Sequence, residues 1–145
     1  AGLLAAQFAL FGGHSGPEPK CVLKVDQPHY STHLSEFMNS DAIKLNMVTT
    51  CNVSQAFTKL DSKILKISNN REVIAFKFLP VVASPNSRNL LRAEIKNLYA
   101  PCNYGMEVAY KGEASGYVML QSGEKISVSG SSEMYVIAPC SIRAQ

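Results

Sequence analysis

The chain has no tryptophan, no two cysteines close enough to form a Cys-x-x-Cys unit, and no Gly-x-Ser-x-Gly segment. Separated cysteines exclude a zinc-knuckle or dithiol redox spacing. Without the glycine-flanked serine, the strand-to-helix elbow that presents a hydrolase nucleophile is missing. No apolar run approaches the roughly twenty residues a membrane-spanning helix needs. Neither sign of charge dominates: fourteen basic and eleven acidic residues leave a net charge of +3. The densest basic patch, Lys63, Lys66 and Arg71, has Asp61 and Glu72 beside it. Nucleic acid is therefore not the expected partner, since such a surface shows a larger local excess and a docking element.

At 145 residues and 46% hydrophobic composition, the chain is expected to fold and to bury one continuous core. Its most unusual stretch comes first. Ala1 to Phe11 carries one polar side chain, Gln7, and no charge. Gly12, Gly13 and Gly16 then form a hinge, stiffened by Pro17 and Pro19. These glycines follow no strand and open no helix, so they do not make a phosphate-binding loop. The arm lacks the basic segment of a secretory signal and reads as the start of a mature chain. In an extended arm Leu4, Ala6, Phe8 and Leu10 make an uninterrupted apolar row.

Past the joint the pattern is mostly β. Strands are expected at 20–26, 43–50, 63–68, 72–83, 91–96, 106–111, 117–120, 125–128 and 133–138. Alternation is clearest at Leu91, Ala93 and Ile95 against Arg92, Glu94 and Lys96. Tyr30 to Asn39 reads as a helix capped by Ser31 or Thr32, and 54–60 as one or two further helical turns. Gly112-Glu113, Ser122-Gly123-Glu124 and Gly130-Ser131-Ser132 read as turns. With no helices alternating between strands, the expected fold is an all-β antiparallel sandwich, jelly-roll or immunoglobulin-like, of eight or nine strands. The division is residues 1–19 as arm and joint and 20–145 as sandwich domain.

Cys21, Cys51, Cys102 and Cys140 are even in number and flank strands, which points to two disulfides and an oxidising compartment. Of the three pairings, Cys21–Cys51 and Cys102–Cys140 join neighbouring runs and are the expected ones. Asn52-Val53-Ser54 matches the N-glycosylation acceptor pattern. His29 and His33 are four apart, but Pro28 places His29 outside the helix and no acidic third ligand is in register, so no metal site is expected. Carboxylates suited to glycoside chemistry exist among Glu94, Glu107, Glu113, Glu124 and Glu133, yet outward strand positions are polar anyway and single out no pair. No cofactor is implied.

The functional expectation is a non-catalytic structural subunit of an extracellular or cell-surface assembly. Its arm would act as a donor strand in a groove of the next copy, building a filament or pilus-like array. Partners would then be copies of the chain itself, with host surface or glycan as further candidates. Two alternatives stand beside it. One is a monomeric secreted ligand-binding or adhesion domain with the arm packed on its own fold. The other is a membrane-active viral or surface protein using the apolar N-terminus, less favoured because the arm has no basic residues.

Overall fold

In the computed structural model, which describes residues 18–145, one strand runs through the whole molecule. This strand, β7 (Arg92–Leu120), is 29 residues long, about five times the usual length. Its first part pairs with β3 (Ala42–Cys51), from Thr50↔Arg92 to Ala42↔Pro101. Its last part pairs with β4 (Gln55–Ser68), from Lys66↔Tyr110 to Gln55↔Leu120. β9 (Val136–Ile142) pairs with its middle and β8 (Lys125–Ser131) with its C-terminal part. β1 (Cys21–Val25) and β2 (His29–Tyr30) add to β3, while β5 (Arg71–Lys77) and β6 (Val81–Ala83) add to β4. Every pairing is antiparallel. Among the described residues the one helix is α1 (Thr32–Met38), capped by the Ser31 side chain and ended by Asn39 in the left-handed region.

The result is one nine-stranded sheet, ordered β1-β3-β7-β4-β5 along its main path, curled into a half-barrel. Fully extended, 29 residues would span on the order of 100 Å, yet the two ends of β7 meet at one turn. The Leu90 carbonyl accepts from the Gln55 amide at 2.8 Å, and the Ser54 carbonyl accepts from the Gln121 amide at 3.0 Å. Ile43, Leu45, Leu60, Ile64, Tyr110 and Val118 fill the inside of the curl and have no exposed surface.

These findings correct the expected two-sheet sandwich, jelly-roll or immunoglobulin-like. The runs at 91–96, 106–111 and 117–120 are one strand, because the glycines between them bend it without ending it. Gly116 lies where an added Cβ would come within 2.0 Å of the Lys59 carbonyl oxygen, so only glycine lets β4 and β7 approach this closely. Gly130 serves the seam between β8 and β1, since a Cβ there would lie 2.8 Å from the Leu23 carbonyl oxygen. Residues 55–60 belong to β4 and are not helical. Here the inward positions are polar: Gln55 and Thr58 are buried with Thr49, and the Gln55 Oε1 accepts from the Thr58 hydroxyl at 2.8 Å. The Gln55 Nε2 donates to the Leu91 carbonyl at 3.0 Å, tying β4 to the entry of β7.

Both disulfides form in the expected pairing. Cys21 and Cys51 face each other across β1 and β3, and Cys102–Cys140 joins β7 to β9. Two such bonds suit an oxidising compartment. Leu4, Ala6, Phe8, Leu10 and the hinge glycines Gly12, Gly13 and Gly16 lie outside the described residues. The filament, pilus and self-assembly expectation required a groove between two sheets, and with one curled sheet that basis is gone.

Tyr110 fastens β9 to the curl. Its hydroxyl donates to the Cys140 carbonyl at 2.7 Å and accepts from the Ile142 amide at 2.8 Å. Burial raises its pKa above the usual 10, opposed only by the bond from Ile142.

Two predictions follow from this packing. Gly116→Ala is expected to lower unfolding free energy by about 3 kcal/mol through forced separation of β4 and β7, whereas Gly123→Ala, a turn position with open space around it but a positive φ, should cost about 1 kcal/mol; urea denaturation distinguishes the two. The second concerns pH. Below pH 10 Tyr110 is protonated in both the folded and unfolded chain and contributes no pH dependence. As pH rises above 10 the unfolded chain loses this proton first, so its share of stability falls until the folded group also ionises. Tyr110→Phe should therefore be less stable at pH 7, by about 2 kcal/mol, but should show a shallower loss as pH rises above 10.

Candidate functional site

Alternation along β4 turns Thr58, Leu60, Ser62 and Ile64 inward and leaves Lys59, Asp61 and Lys63 on the opposite face. The same parity on β7 and β8 puts Glu113, Ser115 and Tyr117 beside Ser127, Ser129 and Ser131 on that outer face. A groove of about 660 Å³ opens there, lined from four strands, β4, β5, β7 and β8. Its side chains fall in rows across the strands. One row runs Lys77, Lys63, Glu113, Ser131, and the next runs Asp61, Ser115, Ser129. Ser62, Ala114 and Gly130 lie between these rows and also border the groove.

Only part of its charge is neutralised internally. Lys63 Nζ lies 3.5 Å from a Glu113 carboxylate oxygen, with both side chains over a third exposed, a pairing of small energetic value in water. Lys77 is held by its backbone: its amide donates to Gln145 Oε1 at 2.8 Å, and Gln145 Nε2 donates back to its carbonyl at 3.1 Å. Further along β7, Tyr117 packs edge-on to Phe57, ring centroids 6.1 Å apart, and Lys125 Nζ stands 4.4 Å from the Tyr117 ring centre. Near Glu113, the Tyr135 hydroxyl bonds the Glu72 carboxylate. Burial, this bond and the charges of Glu72 and Glu113 push its pKa up to about 12.

Two carboxylates, Asp61 and Glu113, thus border one cavity as diagonal neighbours on paired strands. Both stand open to solvent, and Glu113 is engaged by Lys63. A glycosidase needs one carboxyl desolvated so that it carries a proton at working pH. Exposed carboxylates of this kind can accept hydrogen bonds.

Of the five glutamates considered from sequence, only Glu113 lies in this groove. Glu94 is bound by Arg92 at 3.1 Å and faces Lys96 at 3.6 Å, and the Arg92 bond leads in holding its carboxyl below the usual range. Glu133 lines a second cavity of about 560 Å³ with Leu23, Lys24 and Asp26. Asp61, Lys77, Ser115 and Ser129 were not marked by sequence reasoning. Their signal was the outward phase of alternation, which is common to every half-solvated strand.

His29 lies on β2 opposite Lys44, and His33 on α1 stacks against Phe37 at 5.0 Å between ring centroids. Among the described residues no three His, Cys, Asp or Glu side chains gather as a metal-ligand set. Asn52 is exposed between β3 and β4. Its Oδ1 accepts from the Lys20 amide at 2.8 Å, and its Nδ2 donates to the Glu18 carbonyl at 3.0 Å. The aromatics do not form one platform: Tyr110 is core, Tyr30 and Tyr104 stack together at 5.4 Å, and Tyr99 lies under Lys44.

Compared with known proteins, the chain matches no family model, no curated relative and no solved structure.

Proposed function

We propose that this chain is a non-catalytic binding domain of the extracellular space or cell surface that takes a hydroxyl-rich ligand, a glycan, in the groove across β4, β7 and β8. The carrying observation is the lining of that groove. Lysines, carboxylates and serine hydroxyls from four strands converge around a cavity of about 660 Å³. A sugar hydroxyl both donates and accepts, so it is matched by mixed neighbours: Asp61 and Glu113 accept, Lys63 and Lys77 donate, and the serines do either. The size lies within the ordinary range for small-ligand sites. The two disulfides fit an extracellular setting, and the half-barrel supplies a rigid frame for the site. Adhesion or ligand capture is then carried by a surface and requires no reactive group.

Ser115→Leu tests the reading, because it places an apolar side chain in the middle of the groove on an exposed position. The wild-type chain is expected to bind members of an immobilised glycan panel. The variant should lose at least tenfold in affinity, with an unchanged far-ultraviolet circular dichroism spectrum. Binding that survives the substitution would move the site elsewhere. Release of reducing sugar from a bound glycan would overturn the non-catalytic part.

A further inference from the structure

We infer that the ligand of this groove is an acidic glycan chain, carrying carboxylate or sulfate groups at intervals, and that Lys77 and Lys125 are the residues that select it. The inference rests on the groove reading above and extends it to the class of ligand. Its basis is the arrangement of charge along β7. At the level of Glu113 the cross-strand row includes Lys63 and Lys77; at the level of Tyr117 and Met119 it includes Lys59 and Lys125. Glu113 and Tyr117 are four residues apart on one strand, about 13 Å at the strand rise. Cations therefore stand at both ends of the tract, with Asp61, Ser115 and Ser129 between them.

Within each cluster, internal pairing leaves charge to spare. Lys63 is matched by Glu113, whereas Lys59, Lys77 and Lys125 have no carboxylate within ion-pair distance among the described residues. Lys125 is held over the Tyr117 ring, which keeps its ammonium at a fixed place without neutralising it. Lys77 is anchored through the Gln145 amide. A neutral oligosaccharide would use the central serines and Asp61, would meet Lys77 only as a hydrogen-bond donor, and would leave the charge of both end lysines uncompensated. A chain with an acidic group every one or two sugars engages both ends while its hydroxyls meet the centre. The net charge of +3 acts in the same direction over longer range.

The experiment compares one uronic-acid hexasaccharide with its carboxyl-reduced, neutral counterpart by isothermal titration calorimetry on the full chain. It is repeated with Lys77→Gln, Lys125→Gln and Ser115→Leu, and with a single-stranded oligonucleotide of similar charge. The acidic hexasaccharide is expected to bind at least tenfold more tightly than the neutral one. Each lysine substitution should weaken it about fivefold; Lys125→Gln should leave the neutral compound's affinity unchanged, and Lys77→Gln should weaken the neutral compound by less than the acidic one. Higher salt should narrow the difference. Equal binding of both sugars, abolished by Ser115→Leu, would keep the groove as a glycan site and overturn this inference. Binding of neither sugar would overturn both. An oligonucleotide bound as tightly as the acidic sugar would show that charge alone is read, and would also overturn it.

Discussion

The half-barrel depends on how closely β4 can lie against β7. At Gly116 the Lys59 carbonyl occupies space that any side chain would need. Because that approach is allowed, β7 bends around the core and does not run straight past it. Everything else follows from the bend. The first part of the strand can serve β3 and the last part β4, the two ends return to the same turn, and Leu45, Leu60 and Val118 are enclosed from several sides by one sheet. The buried Thr49–Gln55–Thr58 network closes the corner where the ends meet, with the two threonine hydroxyls 2.8 Å apart. Polar groups are affordable there only because each finds a partner.

How far this was legible in the sequence depends on what each signal measures. Alternation correctly marked β structure at Ala93 and Ile95 and at Ile126 and Val128, because burial on one face imposes period two. α1 was legible from Ser31 and the spacing that follows it. The disulfide pairing was legible because the cysteines of each pair lie on neighbouring strands, Cys21 and Cys51 at strand ends and Cys102 and Cys140 within β7 and β9. What failed was continuity. Glycine has the same appearance in a turn as in a bent strand, and Gly112 is in the ladder because Leu45 and Val25 pack where its side chain would be. Pro101 lacks the amide a ladder uses, yet its carbonyl accepts from the Arg143 amide at 3.0 Å and the strand runs on.

The groove was less legible still, for a different reason. Asp61, Ser115 and Ser129 obey the rule for solvent-facing positions, so nothing in their spacing separates a binding surface from plain hydration. They become a site only through register, which sets Asp61 opposite Ser115 and Ser115 opposite Ser129. The register that brings Asp61 to Ser115, more than fifty residues away in sequence, is a tertiary quantity. It is fixed by the bends and bulges of β4 and β7, and no local pattern carries it.

Asn52 holds the segment before β1 by both ends of its amide, one residue from a cysteine that bridges to that same strand. The nitrogen that donates to Glu18 is also the atom to which an N-linked sugar would attach. A sugar there would replace one of the two hydrogens on that nitrogen and leave the other as the single donor for the Glu18 carbonyl. Were Asn52 modified, the turn between β3 and β4 would be where folding and modification meet, since the same amide moors the segment leading into β1.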